Sequence, residues 1–381
     1  MEQNAECEKS KASDGVVVLF TSNFQGGILQ FTIQLGSTLC LLGYNTVVFV
    51  PDNASVSESN SELITIRRYK KQYSLSMRNK SSKVTAREIE KLNPTLVIFG
   101  DASIIATQVL LSLKRNVYTA IYIHDVMSHP AKFDIYGYLK EIQEKRILKQ
   151  AVKKTGKILL LSQNSYNLFK TVYPEYFAKA TWMPLGAHVP EVETHKPAEL
   201  GDSVNAGYYL FFGRMVKYKG VIRLLKAYTG IKTTKPMLVL AGSGALEPEE
   251  IEFIHNNKDI LLINRYIEDS EMLYLVNNAL TVVLPYIEAS QSGVIPIAYY
   301  FGVPVITSNV PGLIEFVENG DSGIICSDIA GMTHAMLKMC DETCHKHLSE
   351  GAFRFYKERL DWSNNLRGGI ESLIKEQKCD K

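Results

Sequence analysis

Residues 15–20 read GVVVLF, six positions without one polar side chain. A strand with no apolar/polar alternation is covered on both faces, the condition of a strand inside a parallel sheet flanked by helices. A glycine-bearing loop follows, SNFQGG at 22–27. Then comes a helix-spaced apolar set, Ile28, Phe31, Leu35, Leu39 and Leu42, closed by Gly43. The next apolar run, TVVFV at 46–50, completes a βαβ unit. Strands are further expected at 96–99, 117–123 and 158–162 with helices between, which predicts a doubly wound α/β domain.

The alternation then stops and starts again. Residues 184–207 carry Pro184, Pro190 and Pro197 with no periodicity, the pattern of a linker. Beyond it, strands are expected at 208–212, 237–241, 260–263, 281–284 and 304–307, with helices at 220–228, 248–256, 270–278 and 293–300. A last helix begins near 361 with apolar Trp362, Leu366, Ile370, Leu373 and Ile374. The length of 381 residues accommodates two such domains. The division expected is 1–190, 204–360 and a terminal helix, 361–381, packing back on the first domain. Two tandem doubly wound domains place a ligand cleft between them, at the carboxyl ends of the strands.

Composition narrows the setting. No apolar run approaches the roughly 20 residues of a membrane-spanning helix, and the polar start, MEQNAECEKSKASDG, lacks the apolar stretch of a secretory signal. The six cysteines are scattered, which fits free thiols in a reducing compartment. A cytoplasmic location is expected. The net charge of +2 is unevenly spread: residues 67–91 hold nine basic and two acidic residues, and 140–157 seven and two. Such clusters fit either ordinary solvated surface or a face that meets anionic lipid or a phosphorylated acceptor. No recognition-helix or base-stacking pattern accompanies them, so no nucleic-acid partner is expected.

Three stretches of the second half carry chemistry. After the strand YYLFF, Gly213 and Arg214 precede Lys219 and Gly220 at a helix start, and two cations beside free helix N–H groups suit a diphosphate. After the strand LVLA, Gly242, Ser243 and Gly244 permit close backbone approach to a phosphate or sugar, or form a plain turn. After TVVL comes PYIEASQSGV. Here Glu288 can accept hydrogen bonds from sugar hydroxyls, and the amides of Gln291, Ser292, Gly293 and Val294 with the hydroxyls of Ser290 and Ser292 can hold a phosphate. The alternative for this stretch is a helix capped by Ser290.

Together these stretches resemble the family-4 glycosyltransferases of the GT-B fold. FFGRMVKYKGVIRLLKAY, LVLAGSGALE and FGVPVITSNVPGLIEFVENGDSGIIC stand in that family's order, the last with its Gly-x-Pro-Val start and following glutamate, Glu315. The resemblance implies a GT-B architecture, two doubly wound Rossmann-like domains facing a central cleft. It implies retaining transfer of a hexose-type sugar from a nucleotide-diphosphate sugar, a co-substrate, to a glycan or lipid-linked acceptor in surface polysaccharide or glycolipid synthesis. No metal and no other cofactor is implied.

Residue by residue, Arg214 and Lys219 would neutralise the diphosphate and the departing nucleotide, with Gly213, Gly242, Ser243 and Gly244 around them. Ser290 to Val294 would hold the distal phosphate, Glu288 the sugar hydroxyls, and the loop with Tyr266 and Ile267 the base. Glu315 would be structural or serve the nucleotide side. In the first domain Gly26 and Gly27 would approach the diphosphate, and His124 would face the transferring sugar or the acceptor, with His129 near the acceptor. One position departs from the family: Ile297 stands where a second glutamate is usual. That departure keeps a second reading open, a catalytically weak relative that binds nucleotide sugars or acts in an assembly. The cysteines and histidines between His334 and His347 read as an ordinary helix with free thiols rather than a metal site.

Overall fold

A computed structural model describes residues 15–56, 64–72, 79–127, 135–183, 186, 189, 193–201 and 207–379. The chain divides into two compact units. The first comprises Met1–Leu161, Ser165–Met183 and Trp362–Lys381, the second Ser162–Asn164 and Pro184–Asp361.

The first unit is built on seven parallel strands: β1 (Val16–Phe20), β2 (Asn45–Pro51), β3 (Thr65–Tyr69), β4 (Pro94–Phe99), β5 (Thr119–Ile123), β6 (Lys157–Leu160) and β7 (Ala180–Trp182), in the order β3-β2-β1-β4-β5-β6-β7. In β1, Val17 to Phe20 are fully buried, as the unbroken apolar run requires. The order reverses between β1 and β4, which makes their carboxyl ends the switch point of the sheet. β3 and β7 were not expected. β3 reads TIRRY, and as an edge strand it leaves Arg67 and Arg68 exposed, so its charges masked its pairing with β2.

The terminal helix Trp362–Cys379 belongs to this first unit. Trp362, Leu366, Ile370 and Leu373 are buried in it, and the Trp362 ring meets Phe31 edge-on at 5.3 Å. Lys157 pairs with Glu376 at 2.5 Å.

The second unit has six parallel strands: β8 (Tyr208–Phe212), β9 (Leu238–Ala241), β10 (Ile260–Ile263), β11 (Ala279–Leu284), β12 (Val305–Ser308) and β13 (Gly323–Cys326), ordered β10-β9-β8-β11-β12-β13. Its switch point lies between β8 and β11. Tyr208, Tyr209 and Phe211 are core, and Tyr208 and Tyr209 donate their hydroxyls to the carbonyls of Leu275 and Met336 at 2.8 and 2.7 Å. Part of the expected linker is tied down. Glu199, in the turn Ala198–Leu200, takes a two-pronged bond from Arg265 at 2.7 and 2.9 Å, and Glu271 takes another at 2.7 Å. Arg265 holds the Glu199 carboxyl down at about 2.

Candidate functional site

At the switch point of the second sheet the residues after β8 and β11 are interlocked. Gly213 has φ +126, and a side chain there would meet the Lys219 amine, since a Cβ would lie 2.7 Å from Nζ. Glycine therefore lets the Lys219 ammonium sit over the backbone of residue 213. That amine donates to the Tyr286 hydroxyl at 3.1 Å and lies 4.9 Å from the centre of the Tyr286 ring. The ring is buried, so Lys219 is braced from below by an aromatic face.

Gly220, at φ +66, starts the helix Val221–Gly230. A Cβ on it would lie 2.2 Å from the Pro285 carbonyl oxygen, so the turn carrying Lys219 is packed directly on the segment after β11. The Ile287 amide donates to the Tyr218 carbonyl at 2.7 Å, and Arg223 reaches the Tyr286 carbonyl at 3.4 Å. Sequence reading missed Tyr286. Its signal was present, since it is the aromatic immediately before the loop that bears Glu288.

The glycine loop after β9 joins the same group. The Met215 amide donates to the Ser243 carbonyl at 2.9 Å, and Met215 and Gly244 form a parallel bridge. The Asn264 side chain both accepts from the Gly244 amide and donates to its carbonyl, each at 3.0 Å. Gly213, Lys219, Gly242, Ser243 and Gly244 are thus brought together. Beyond Asn264, Ile267 is buried and Tyr266 exposed. Arg214 is exposed, and its guanidinium has no partner among the described residues.

The loop after β11 continues through half-buried Glu288 to the helix Val294–Tyr300. The alternative reading of this stretch, a helix capped by Ser290, is not what forms. The helix expected at 293–300 starts at Val294 with Gly293 at its cap position, and the Ser290 carbonyl accepts from Ser162 Oγ at 3.3 Å. The Val294 amide, expected to face a phosphate, donates to Ser292 Oγ at 3.4 Å. The hydroxyl of buried Ser292 satisfies that N–H locally, and the helix is seven residues long, ending just before Gly302 at φ +66. Gln291 is half-buried on the same loop, and Ile297 lies on the helix. Glu315 accepts from the amides of Gln163 and Asn164, both at 2.9 Å, so its carboxylate is taken up by main-chain donors. Burial raises its pKa above the ordinary value, with those two bonds opposing.

In the first unit His124 follows β5. Its Nε2 lies 2.7 Å from the Gly100 carbonyl, which must accept, so the neutral ring carries its proton on Nε2. Phe31 packs edge-on at 5.1 Å. Burial holds the imidazole below its ordinary titration range, against the opposing effects of the Gly100 carbonyl and the charges of Asp125 and Asp101. At neutral pH it is an uncharged hydrogen-bonding ring rather than the proton exchanger its reference pKa would allow. Gly26, at φ +83, caps the helix Gly27–Leu41, and a Cβ at Gly26 or Gly27 would meet nothing within 4 Å. His129 lies outside the described residues.

The histidines and cysteines near the end of the second unit point to separate partners. His345 Nε2 donates to the Leu280 carbonyl at 2.8 Å, His347 lies 3.7 Å from Asp321, and Cys340 Sγ lies 3.2 Å from the Tyr209 hydroxyl. Among the described residues no three His, Cys, Asp or Glu side chains converge as metal ligands.

Residues 206–342 match the family Glycosyl transferases group 1. Glycogen synthase of Mycobacterium tuberculosis (strain ATCC 25618 / H37Rv) is 31% identical over 171 residues, 43% of this chain and 38% of that one. The capsular polysaccharide biosynthesis glycosyltransferase CapM of Staphylococcus aureus is 28% identical over 222 residues, 57% and 54% of the two chains. The chain therefore spans about half, or less, of the length of these relatives. Among solved structures, sucrose-phosphate synthase from Thermosynechococcus elongatus superposes with a TM-score of 0.74 at 16% identity, covering 96% of this chain and 100% of that one. Anabaena HepE in complex with UDP and glucose gives 0.74 at 14% identity, covering 95% and 100%. The fold is the α/β architecture of GT-B glycosyltransferases, with two Rossmann-like domains, and the match to the Glycosyl transferases group 1 family falls in the second of them.

Proposed function

We propose that the protein is a retaining glycosyltransferase that moves a hexose-type sugar from a nucleotide-diphosphate sugar to a glycan or lipid-linked acceptor. The observation that carries this reading is the Lys219 ammonium held over the backbone of Gly213, at the switch point between β8 and β11. The carboxyl ends of strands at a switch point are where α/β sheets bind ligands. A braced cation there, with exposed Arg214 next to Gly213, supplies fixed positive charge where a diphosphate leaving group develops its negative charge.

In the reaction the bond from the sugar's anomeric carbon to the phosphate oxygen breaks, and the acceptor oxygen bonds to that carbon on the same face. The departing phosphate takes the acceptor's proton, so no nucleophilic carboxylate is needed. Lys219 and Arg214 lower the barrier by stabilising the departing nucleotide, Glu288 orients sugar hydroxyls, and the loop with Tyr266 and Ile267 meets the base. In the first unit, the uncharged His124 is a hydrogen-bond partner for the transferring sugar or the acceptor. The two cations supply the charge that a metal provides elsewhere, so activity is expected to survive chelation.

The test is nucleotide release. The protein is incubated with UDP-glucose, the ligand named for one HepE complex, then with ADP- and GDP-hexoses, and freed nucleotide is measured; anomer-resolved NMR of the product reads the stereochemistry. Release with retention supports the reading. Binding of every donor without release would instead support the weak-relative alternative, which Ile297 motivates.

Setting and partners follow. Surface polysaccharide or glycolipid synthesis at a membrane face is the proposed context, carried by the exposed charges of Arg67, Lys70, Lys80, Lys83 and Arg87 in the first unit. Two cations of that cluster work internally: Lys71 donates to the Ser22 carbonyl at 2.8 Å, and Arg68 to those of Asp52 and Ala54 at 3.1 and 3.0 Å. No described helix is long and apolar enough to cross a membrane. Salt-dependent binding to anionic vesicles that is lost when Arg67, Lys80 and Lys83 are neutralised would support the membrane face; equal binding of the variant would remove it.

A further inference from the structure

The switch point of the first sheet carries a buried acid that sequence reading passed over. Asp101 follows β4 and is 3% exposed, yet no cation pairs with it among the described residues. Its carboxyl oxygens accept five hydrogen bonds from described residues. Oδ2 accepts from Thr21 Oγ1 at 3.2 Å, the Ser22 amide at 3.0 Å and Asn23 Nδ2 at 3.1 Å. Oδ1 accepts from Ser22 Oγ at 3.2 Å and the Ser103 amide at 3.0 Å. A buried carboxylate survives only with such a set of donors.

Four of those five donors come from residues 21–23, the start of the loop that leads to Gly26 and Gly27. The same loop is held from its other side: Tyr69 Oη donates to the Thr21 carbonyl at 3.0 Å, and the Ser55 amide to the Phe24 carbonyl at 2.9 Å. The residue before Asp101 does a second job. Gly100 accepts His124 Nε2, while its own amide donates to the Phe20 carbonyl at 2.8 Å, the last residue of β1. A Cβ on Gly100 would lie 2.3 Å from Thr32 Oγ1, so this tip of β4 is fixed against the helix Gly27–Leu41 as well.

We infer that Asp101 is a positioning residue for the sugar transfer proposed above, on which this inference rests: it fixes the loop bearing Gly26 and Gly27 in register with His124. The two parts of the first unit's site hang from one dipeptide, Gly100 and Asp101, through the carboxylate on one side and the carbonyl on the other. Among the described residues the charges that act on the imidazole are those of its neighbour Asp125 and of Asp101, and both favour the protonated ring.

The test compares the full chain with Asp101→Asn, which keeps the shape and removes the charge, and Thr21→Val, which removes one donor and keeps the charge. Three readouts are taken: NMR titration of the His124 imidazole, the amide signals of Gly26 and Gly27, and steady-state kcat and KM with the donor found above. Asp101→Asn is expected to move the His124 titration to lower pH. It should also shift both glycine amides and lower kcat about 100-fold, the cost of an ångström-scale misplacement, with KM changing less. Thr21→Val should shift the glycine amides and lower kcat while leaving the His124 titration in place. Wild-type kcat, glycine amides and His124 titration in Asp101→Asn would overturn the inference. If that variant fails to fold, wild-type glycine amides in Thr21→Val would overturn it. If the parent protein releases no nucleotide from any donor, the sugar-transfer reading fails by itself, and the two NMR readouts still decide whether Asp101 fixes this loop and ring.

Discussion

Gly293 is the position at which folding and ligand binding make opposite demands. Its φ is −66 and its ψ −7, ordinary for any residue, and a Cβ there would meet no described atom within 4 Å. Nothing in the fold requires glycine. Gly293→Ala should then stabilise the second unit by about 0.4–1 kcal/mol through loss of unfolded-chain entropy. For a unit of this size that raises Tm by roughly 1–4 °C. If the loop after β11 receives the distal phosphate, the new methyl occupies the space the phosphate approaches through. Losing one hydrogen bond to a charged group costs about 1.5–3 kcal/mol, so the donor KM should rise about 10- to 150-fold. Melting by calorimetry and donor-dependent nucleotide release are the two measurements. A raised Tm with unchanged KM would refute the phosphate assignment of Gly293, and a lowered Tm would refute the open space itself.

Other expectations can be checked in the same preparations. Lys219→Met keeps the length and apolar stem of the side chain and should lower kcat by about 10²–10³ without lowering Tm appreciably; parent-like kcat would discard the leaving-group role. For His124 the folded pKa is depressed below the unfolded one, so the unfolded chain takes up the proton first. Its contribution to stability is complete above about pH 6.5 and is lost as pH falls through that value. Urea unfolding of His124→Gln should accordingly show a smaller loss of stability between pH 7 and 5 than the parent. Trp362→Ala empties a fully packed position and should cost the first unit about 3–5 kcal/mol, read as a shift in its denaturation midpoint.

Much of this molecule was legible in its sequence because buried parallel strands announce themselves. GVVVLF, ILLI and TVVL could be little else, and each carries its loop at a known end. Gly213 and Gly220 were legible as glycines at a turn, although the reason for each, an amine over one and a carbonyl against the other, exists only in three dimensions. What was missed shares one cause. Asp101 is a lone acid after a strand, and the donors that give it meaning are about eighty residues away. β3 looked like a charged surface because its partner, β2, supplies the apolar side. That Gly293 rather than Ser290 stands at the cap, with Ser292 accepting from the Val294 amide, turned on where one short helix begins, a boundary that local pattern does not resolve. Glu199 looked like linker because Arg265, sixty-six positions later, is what fastens it.

The return of the helix Trp362–Cys379 to the first unit has a consequence for how the protein comes into being. Phe31 is made early, and the tryptophan that covers it, residue 362, follows only after every strand of the second unit. The unit begun first is therefore closed only after the second has been made, and until then the helix Gly27–Leu41 waits with part of its apolar flank uncovered.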